Sequence, residues 1–130
     1  SSITTGAIRN SSCFAGNIGT IVDDDGDGVL DLPNPSDAND LGNAFIGTFS
    51  VKGIKDVNDC FINSNSAART FKTVIMTCPQ YDNSGKDFGI VADLITKLSL
   101  KDLQGTWSYS NLYDPNEIRP GSNDAVIRVK

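Results

Sequence analysis

Apolar and polar residues alternate through 43–54, with Phe45, Gly47, Phe49 and Val51 on one side and Ala44, Ile46, Thr48, Ser50 and Lys52 on the other. That period of two is the mark of a strand with one buried face. Over 70–78 the alternation is broken by Val74, Ile75 and Met76 in succession, which predicts a central strand covered on both faces. Short strands are also predicted over 20–22, around Trp107 and Tyr109, and over 125–129, where Ala125, Ile127 and Val129 alternate.

Between them the period changes. Phe88, Val91, Leu94, Ile95 and Leu98 recur at spacings of three, three, one and three, which places them on one face of a 3.6-residue period and predicts a helix over 87–98. Ser84 and Asp87 fit a capping box ahead of it, and Leu100 and Leu103 extend it as a second short turn until Gly105 stops it. Residues 1–19 carry scattered apolar positions without a period and are expected to form a loosely structured arm. No internal repeat is visible. The predicted fold is α+β, a mostly antiparallel β-sheet with one packed helix at about 87–98 and an irregular N-terminal arm, within a single soluble domain over 1–130.

The candidate chemistry lies in one loop, 23–34. Its first nine residues read Asp23-Asp24-Asp25-Gly26-Asp27-Gly28-Val29-Leu30-Asp31. Hard cations such as Ca²⁺ take six to eight oxygens, which a tight loop offers from positions 1, 3, 5, 7, 9 and 12. Asp23, Asp25 and Asp27 fill the first three positions, the Val29 carbonyl the fourth and Asp31 the fifth. Gly28 falls where the chain turns with positive φ, and apolar Leu30 is expected to point into a core. Without a cation between them, five crowded carboxylates would repel one another. At position 12 stands Asn34 between Pro33 and Pro35, which excludes an exiting helix; Asp37 or Asp40 is left to supply the last carboxylate. The loop therefore resembles the abbreviated DxDxDGxxD elements of dockerin modules and thrombospondin type 3 repeats more than a paired calcium hand. This chain has one such loop.

Composition narrows the setting. Net charge is −5 with a pI near 4.4, from fifteen Asp and a single Glu against eleven Lys and Arg, and no basic stripe interleaves with aromatics, so nucleic acid is excluded as a partner. No apolar run approaches the roughly eighteen residues of a membrane span, and the chain is expected to be a processed or excised extracellular piece. Of the cysteines at 13, 60 and 78, Cys60 and Cys78 lie on strand-like runs over 56–62 and 70–78, joined by a turn-rich 63–69. A hairpin-like approach makes them the expected disulfide, with Cys13 outside it.

There is no histidine, which removes the commonest general base and most zinc and nucleophile arrangements. No CxxC, phosphate loop or dinucleotide motif occurs, and the chain is expected not to be an enzyme. Trp107, Tyr109 and Tyr113 either form a carbohydrate-stacking platform or fill a sheet core and its rim.

Taken together, a small head with an antiparallel sheet, a disulfide in its later half, a Ser/Thr/Asn-rich surface and a metal-stiffened loop resembles the globular part of a type IV pilin or pseudopilin. That family's long apolar N-terminal helix is absent from this chain. The resemblance implies a calcium-stabilised structural subunit of a fimbrial filament at the cell surface. Its partners would be other copies or a companion subunit, with membrane contact only through an absent or separate helix. The alternative is a calcium-dependent adhesive or carbohydrate-binding module of a larger secreted protein, touching glycan through Trp107 and Tyr109.

Overall fold

The structure is a computed structural model that describes residues 1–16, 22–33, 42–119 and 124–129. Among these residues every regular element is a strand. They are β1 (Ser2–Thr5), β2 (Ile8–Arg9), β3 (Ser12–Phe14), β4 (Phe45–Val51), β5 (Phe61–Ile62), β6 (Asn65–Ala67), β7 (Thr70–Thr77), β8 (Phe88–Ala92), β9 (Leu94–Lys101), β10 (Thr106–Leu112), β11 (Asn116–Ile118) and β12 (Ala125–Val129). Sheet A has the order β1-β4-β7-β9-β10, sheet C the order β11-β12-β8-β6-β3, and β2 and β5 form a small sheet B.

Chain order explains these sheets. β1, β2 and β3 visit A, B and C in turn, and β4, β5 and β6 repeat the circuit. β7, Pro79 bridged to Phe61, and β8 repeat it again, and β9 and β12 give the A and C sides of a fourth turn. Each coil lies parallel on the one before, β4 on β1, β7 on β4 and β9 on β7 in sheet A, and β6 on β3, β8 on β6 and β12 on β8 in sheet C. The architecture is a β-solenoid. Parallel neighbours need a long crossover, and here the other two sides of the coil supply it in place of a helix.

The interior is built from columns of register partners. Ile46, Phe71 and Ile95 form one, Phe49, Val74 and Leu98 a second, and Val51, Met76 and Leu100 a third, all buried. In each strand the core positions are thus i, i+3 and i+5, because two successive residues, Gly47-Thr48, Lys72-Thr73 and Thr96-Lys97, stay out of the core. Aromatic rings tie the three sides together across the middle. Phe49 of sheet A meets Phe61 of sheet B edge-on at 6.2 Å, and Phe61 stacks on Phe88 of sheet C at 5.7 Å, pairings worth about 0.5–1.5 kcal/mol each beyond area burial.

Several expectations are corrected here. The helix over 87–98 is replaced by β8 and β9, so the chain is all-β rather than α+β. Its apparent 3.6-residue period arises from the solenoid. Ile95 and Leu98 are three apart because two outward residues separate them, while Phe88 and Val91 lie on opposite faces of sheet C, Phe88 in the main core and Val91 in a second cluster with Ala67. Leu100 ends that helix prediction inside β9, and Leu103 is exposed in the turn that follows. The sheets are mostly parallel, not antiparallel; among the described residues only β9 with β10 and β11 with β12 run antiparallel. The arm expected over 1–19 is, through residue 16, the first coil. The strand expected over 20–22 falls largely outside the described residues. Phe45 is exposed and Ile46 buried, the reverse of the faces read from alternation.

A repeat also exists where none was visible in the sequence. Phe45 stands beside Thr70 and Thr70 beside Leu94, so two successive coils repeat at 25 and 24 residues, while Ser2 lies 46 residues from its partner Thr48. What marks them is three apolar positions rather than residue identity. The last coil is closed differently. After β9 the chain turns at Asp102, whose Oδ1 accepts from the Gln104 and Gly105 N–H groups, and runs back along sheet A as β10 and then along sheet C as β11. This reversed half-turn adds β10 and β11 as the terminal strands of sheets A and C.

Candidate metal centre

Residues 22–33 cross the outer face of sheet C. Leu32, like Phe14, packs against the Ala67 and Val91 cluster, and Val29 rather than Leu30 is the buried apolar residue of the loop, at 3% against 40% exposure. The Leu30 expectation is corrected accordingly. Its backbone instead fastens the loop, because the Leu30 N–H donates to Ser12 Oγ at 3.1 Å and its carbonyl accepts from Asn65 Nδ2 at 2.9 Å. Asn65 is 3% exposed and its Oδ1 accepts from the Gly89 N–H at 2.9 Å, so one buried amide joins loop and sheet. Gly89 is required beside it. Its φ is +143°, and a Cβ there would lie 1.9 Å from the Val126 carbonyl oxygen.

The tip of the loop is wound around its own carboxylates. Asp23 accepts from the Asp27 N–H through Oδ1 at 3.1 Å and from the Gly28 N–H through Oδ2 at 2.9 Å. Asp25 Oδ1 accepts from Asp27 N–H at 3.1 Å, and Asp27 Oδ1 from Val29 N–H at 2.7 Å. Gly28 has φ +84°, the sharp turn its place in the motif predicts. Asp23, Asp25 and Asp27 thereby bring one oxygen each within 4.8 Å of the others. These three acids could hold a metal ion. A carboxylate oxygen that accepts an N–H keeps lone pairs for a cation, so the backbone bonds and a metal are compatible.

Asp31, the fourth expected carboxylate, is not one of these three converging acids. Asp31 Oδ2 accepts from the Asp24 N–H at 2.8 Å, and its side chain lines a cavity of about 230 Å³ with Asp25, Leu32, Lys86, Asp87 and Arg128. Val29 belongs to the turn through its N–H. Asn34, Asp37 and Asp40, considered for the twelfth position, lie outside the described residues.

Partners that the sequence did not announce hold the tip against the solenoid. Lys86 Nζ lies 3.0 Å from Asp25 Oδ2; the hydrogen bond holds the Asp25 carboxyl below the usual carboxylate range and pushes Lys86 up. Asn63 Nδ2 donates to Asp27 Oδ2 at 2.7 Å, and Asn63 Oδ1 accepts from Asn83 Nδ2 at 2.9 Å. Asn63 follows β5 with φ +36°, a conformation asparagine tolerates, so the corner of the coil aims its amide at the loop. The turn over 82–86 is no helix cap. Asp124 Oδ2 accepts from the Asn83 and Gly85 N–H groups at 2.7 and 2.9 Å.

Beyond Lys86 the charges alternate. Asp87 receives Arg119 Nη1 and Nη2 at 2.8 and 2.9 Å and also Arg128 Nη2. Glu117 receives Arg119 Nε at 2.7 Å and Arg128 Nε at 3.0 Å. The guanidinium of Arg119 holds Asp87, and that of Arg128 holds Glu117, below the usual carboxylate range, and Arg119 is raised in turn.

The remaining candidates lie elsewhere. Trp107 and Tyr109 are on β10, beside Leu100 and Leu98, where they prolong two core columns at the end of sheet A while staying 37% and 36% exposed. Cys13, Cys60 and Cys78 are free thiols. Cys60 and Cys78 are neighbours through adjacent coils rather than through a hairpin, the Cys60 N–H donating to the Cys78 carbonyl at 2.8 Å. Among the described residues no helix is long and apolar enough to cross a membrane. No protein-family model, curated protein or solved structure matches the chain.

Proposed function

We propose that loop 23–34 binds one Ca²⁺ through Asp23, Asp25, Asp27, Asp31 and the Val29 carbonyl, and that this ion braces a structural module that works outside the cell by assembly rather than catalysis. The observation that carries the reading is the convergence of the Asp23, Asp25 and Asp27 oxygens in a loop already bonded to sheet C. All-oxygen donors on a flexible loop suit Ca²⁺ over the smaller, more rigidly octahedral Mg²⁺. The five-residue donor set is that of a structural ion, with carboxylates and a carbonyl and no histidine or thiolate.

Partners in this reading are further copies or a companion subunit at the cell surface. The pilin-like expectation rested in part on an antiparallel sheet, and the mostly parallel pairing of the coils removes that one ground. The second reading, an adhesive or carbohydrate-binding module, draws on Trp107 and Tyr109 standing part-exposed on one side of β10.

Calorimetric titration of the purified chain tests the metal. Ca²⁺ should bind with one-to-one stoichiometry, Mg²⁺ at least tenfold more weakly, and Asp25→Asn should weaken Ca²⁺ by tenfold or more. Equal binding by Asp25→Asn, or no heat with Ca²⁺, would reject it. Glycan binding lost on Trp107→Ala with Ca²⁺ binding intact would establish the second reading instead.

A further inference from the structure

Sheet B is where successive coils are least joined. β2 and β5 pair at Ile8 with Phe61 and Arg9 with Ile62, but between the second coil and the third the ladder shrinks to a single bridge, Phe61 with Pro79. Cys60 and Cys78 flank that bridge. The Cys78 carbonyl accepts from the Cys60 N–H at 2.8 Å and the Phe61 N–H at 3.4 Å, and the Gln80 N–H returns to the Phe61 carbonyl at 2.8 Å. This is parallel pairing with Cys60 beside Cys78. Strands so paired run about 4.8 Å apart, inside the roughly 4.4–6.8 Å Cα separation that disulfides require.

Both side chains belong to the same core. Cys60 is fully buried, its Sγ accepting from the Ile54 N–H at 3.3 Å and donating to the Val57 carbonyl at 3.7 Å. Cys78 is part-exposed and packs against that core with φ +49°. The third thiol, Cys13, stands beside Ser66 in sheet C, on another side of the solenoid.

We propose that Cys60 and Cys78 are an oxidisable pair whose disulfide staples the second coil to the third across the thinnest sheet. The oxidant is a small-molecule disulfide of the glutathione class. The Cys78 thiolate, being the more accessible, attacks one of its sulfurs and expels the first thiolate. Cys60 then leaves Ile54 and Val57, attacks the Cys78 sulfur and expels the second. Two protons are lost from the protein thiols, and two electrons leave with the oxidant, which departs as two thiols. Burial pushes the Cys78 thiol up, so the first step speeds up as pH rises.

The test is to hold the whole chain in a buffer of oxidised glutathione, then unfold it, alkylate and map it. One alkylated thiol, at Cys13, together with a crosslinked Cys60–Cys78 peptide is expected, and the oxidised protein should melt several degrees above the reduced one. Cys13→Ser should crosslink as wild type does, and Cys78→Ser should neither crosslink nor gain melting temperature. Three alkylated thiols, a persistent glutathione adduct at Cys78, or a crosslink to Cys13 would overturn the pairing. The assay needs no metal, so its outcome is independent of the calcium proposal.

Discussion

Sheets A and C come from the same coils, yet their outer faces are finished in different ways. Sheet A presents Thr48, Thr73 and Lys97 in one outward register row and Thr77 and Lys101 in another, part-exposed or exposed side chains, with Ser50 between the rows buried and its hydroxyl unpartnered. Sheet C buries its outer side under residues 22–33, with Val91 and Ala67 covered by Leu32 and the polar contacts concentrated in Asn65. A part-exposed or exposed position such as Thr73 or Lys97 tolerates change, because its side chain has water as a substitute partner. A covered face carries backbone groups that only the cover can satisfy, and the cover carries the acidic cluster. Any brace on the loop is therefore a brace on sheet C.

Mutations can break this contrast. Gly89→Ala on sheet C should be the most damaging, since the new Cβ meets backbone 1.9 Å away at φ +143°. A loss of more than about 4 kcal/mol is expected, read as failure to reach the native state in denaturant titration. Chelation comes next. If Ca²⁺ binds the folded chain, a hundredfold excess over Kd adds about 2.7 kcal/mol, and removing it should lower the melting point and speed amide exchange in β3, β6 and β8 more than in β4 and β7. Equal loss in both sheets would dissolve the comparison.

Asn65→Ala should cost about 2 kcal/mol, because the Gly89 N–H and the Leu30 carbonyl lose a partner in a water-poor place. Its counterpart Thr73→Ala on sheet A should stay within about 0.5 kcal/mol; urea midpoints measure both. The smallest effect is that of pH. Asp87 and Glu117 have folded-state pKa values below their unfolded ones, so their contribution is present above the unfolded carboxylate range, about pH 4, and is lost as pH falls through the lower folded values. Stability should be flat from neutral pH to about 5 and fall below 4, by about 1 kcal/mol from this network once solvent screening is allowed for. Replacing Glu117 with Gln should reduce that fall in a melting series.

Legibility in the sequence differed by the range of the interactions. The acidic loop was readable because its winding is local, with Asp23, Asp25 and Asp27 bonded to N–H groups no more than five residues away. The strands read over 43–54, 70–78 and 125–129 were legible as elements because a run rich in apolar and β-branched residues is local too, although alternation put Phe45 and Ile46 on the wrong faces. Lys86, Asn63 and Asn65 were missed as loop partners because nothing in spacing announces an amide that reaches Asp27 across 36 residues or Leu30 across 35.

The sequence alone determined that several apolar-rich runs form strands and that five carboxylates crowd one short loop; each follows from side-chain chemistry within a few residues. Only the tertiary structure decided whether Ile95 and Leu98 share a helix face or flank two outward residues of a strand, since a spacing of three satisfies both. It likewise decided that strands pair in parallel with the coil before. Parallel pairing joins strand residues from 24 to 53 positions apart, and stacked apolar columns reward it, so no short window of sequence carries the signal.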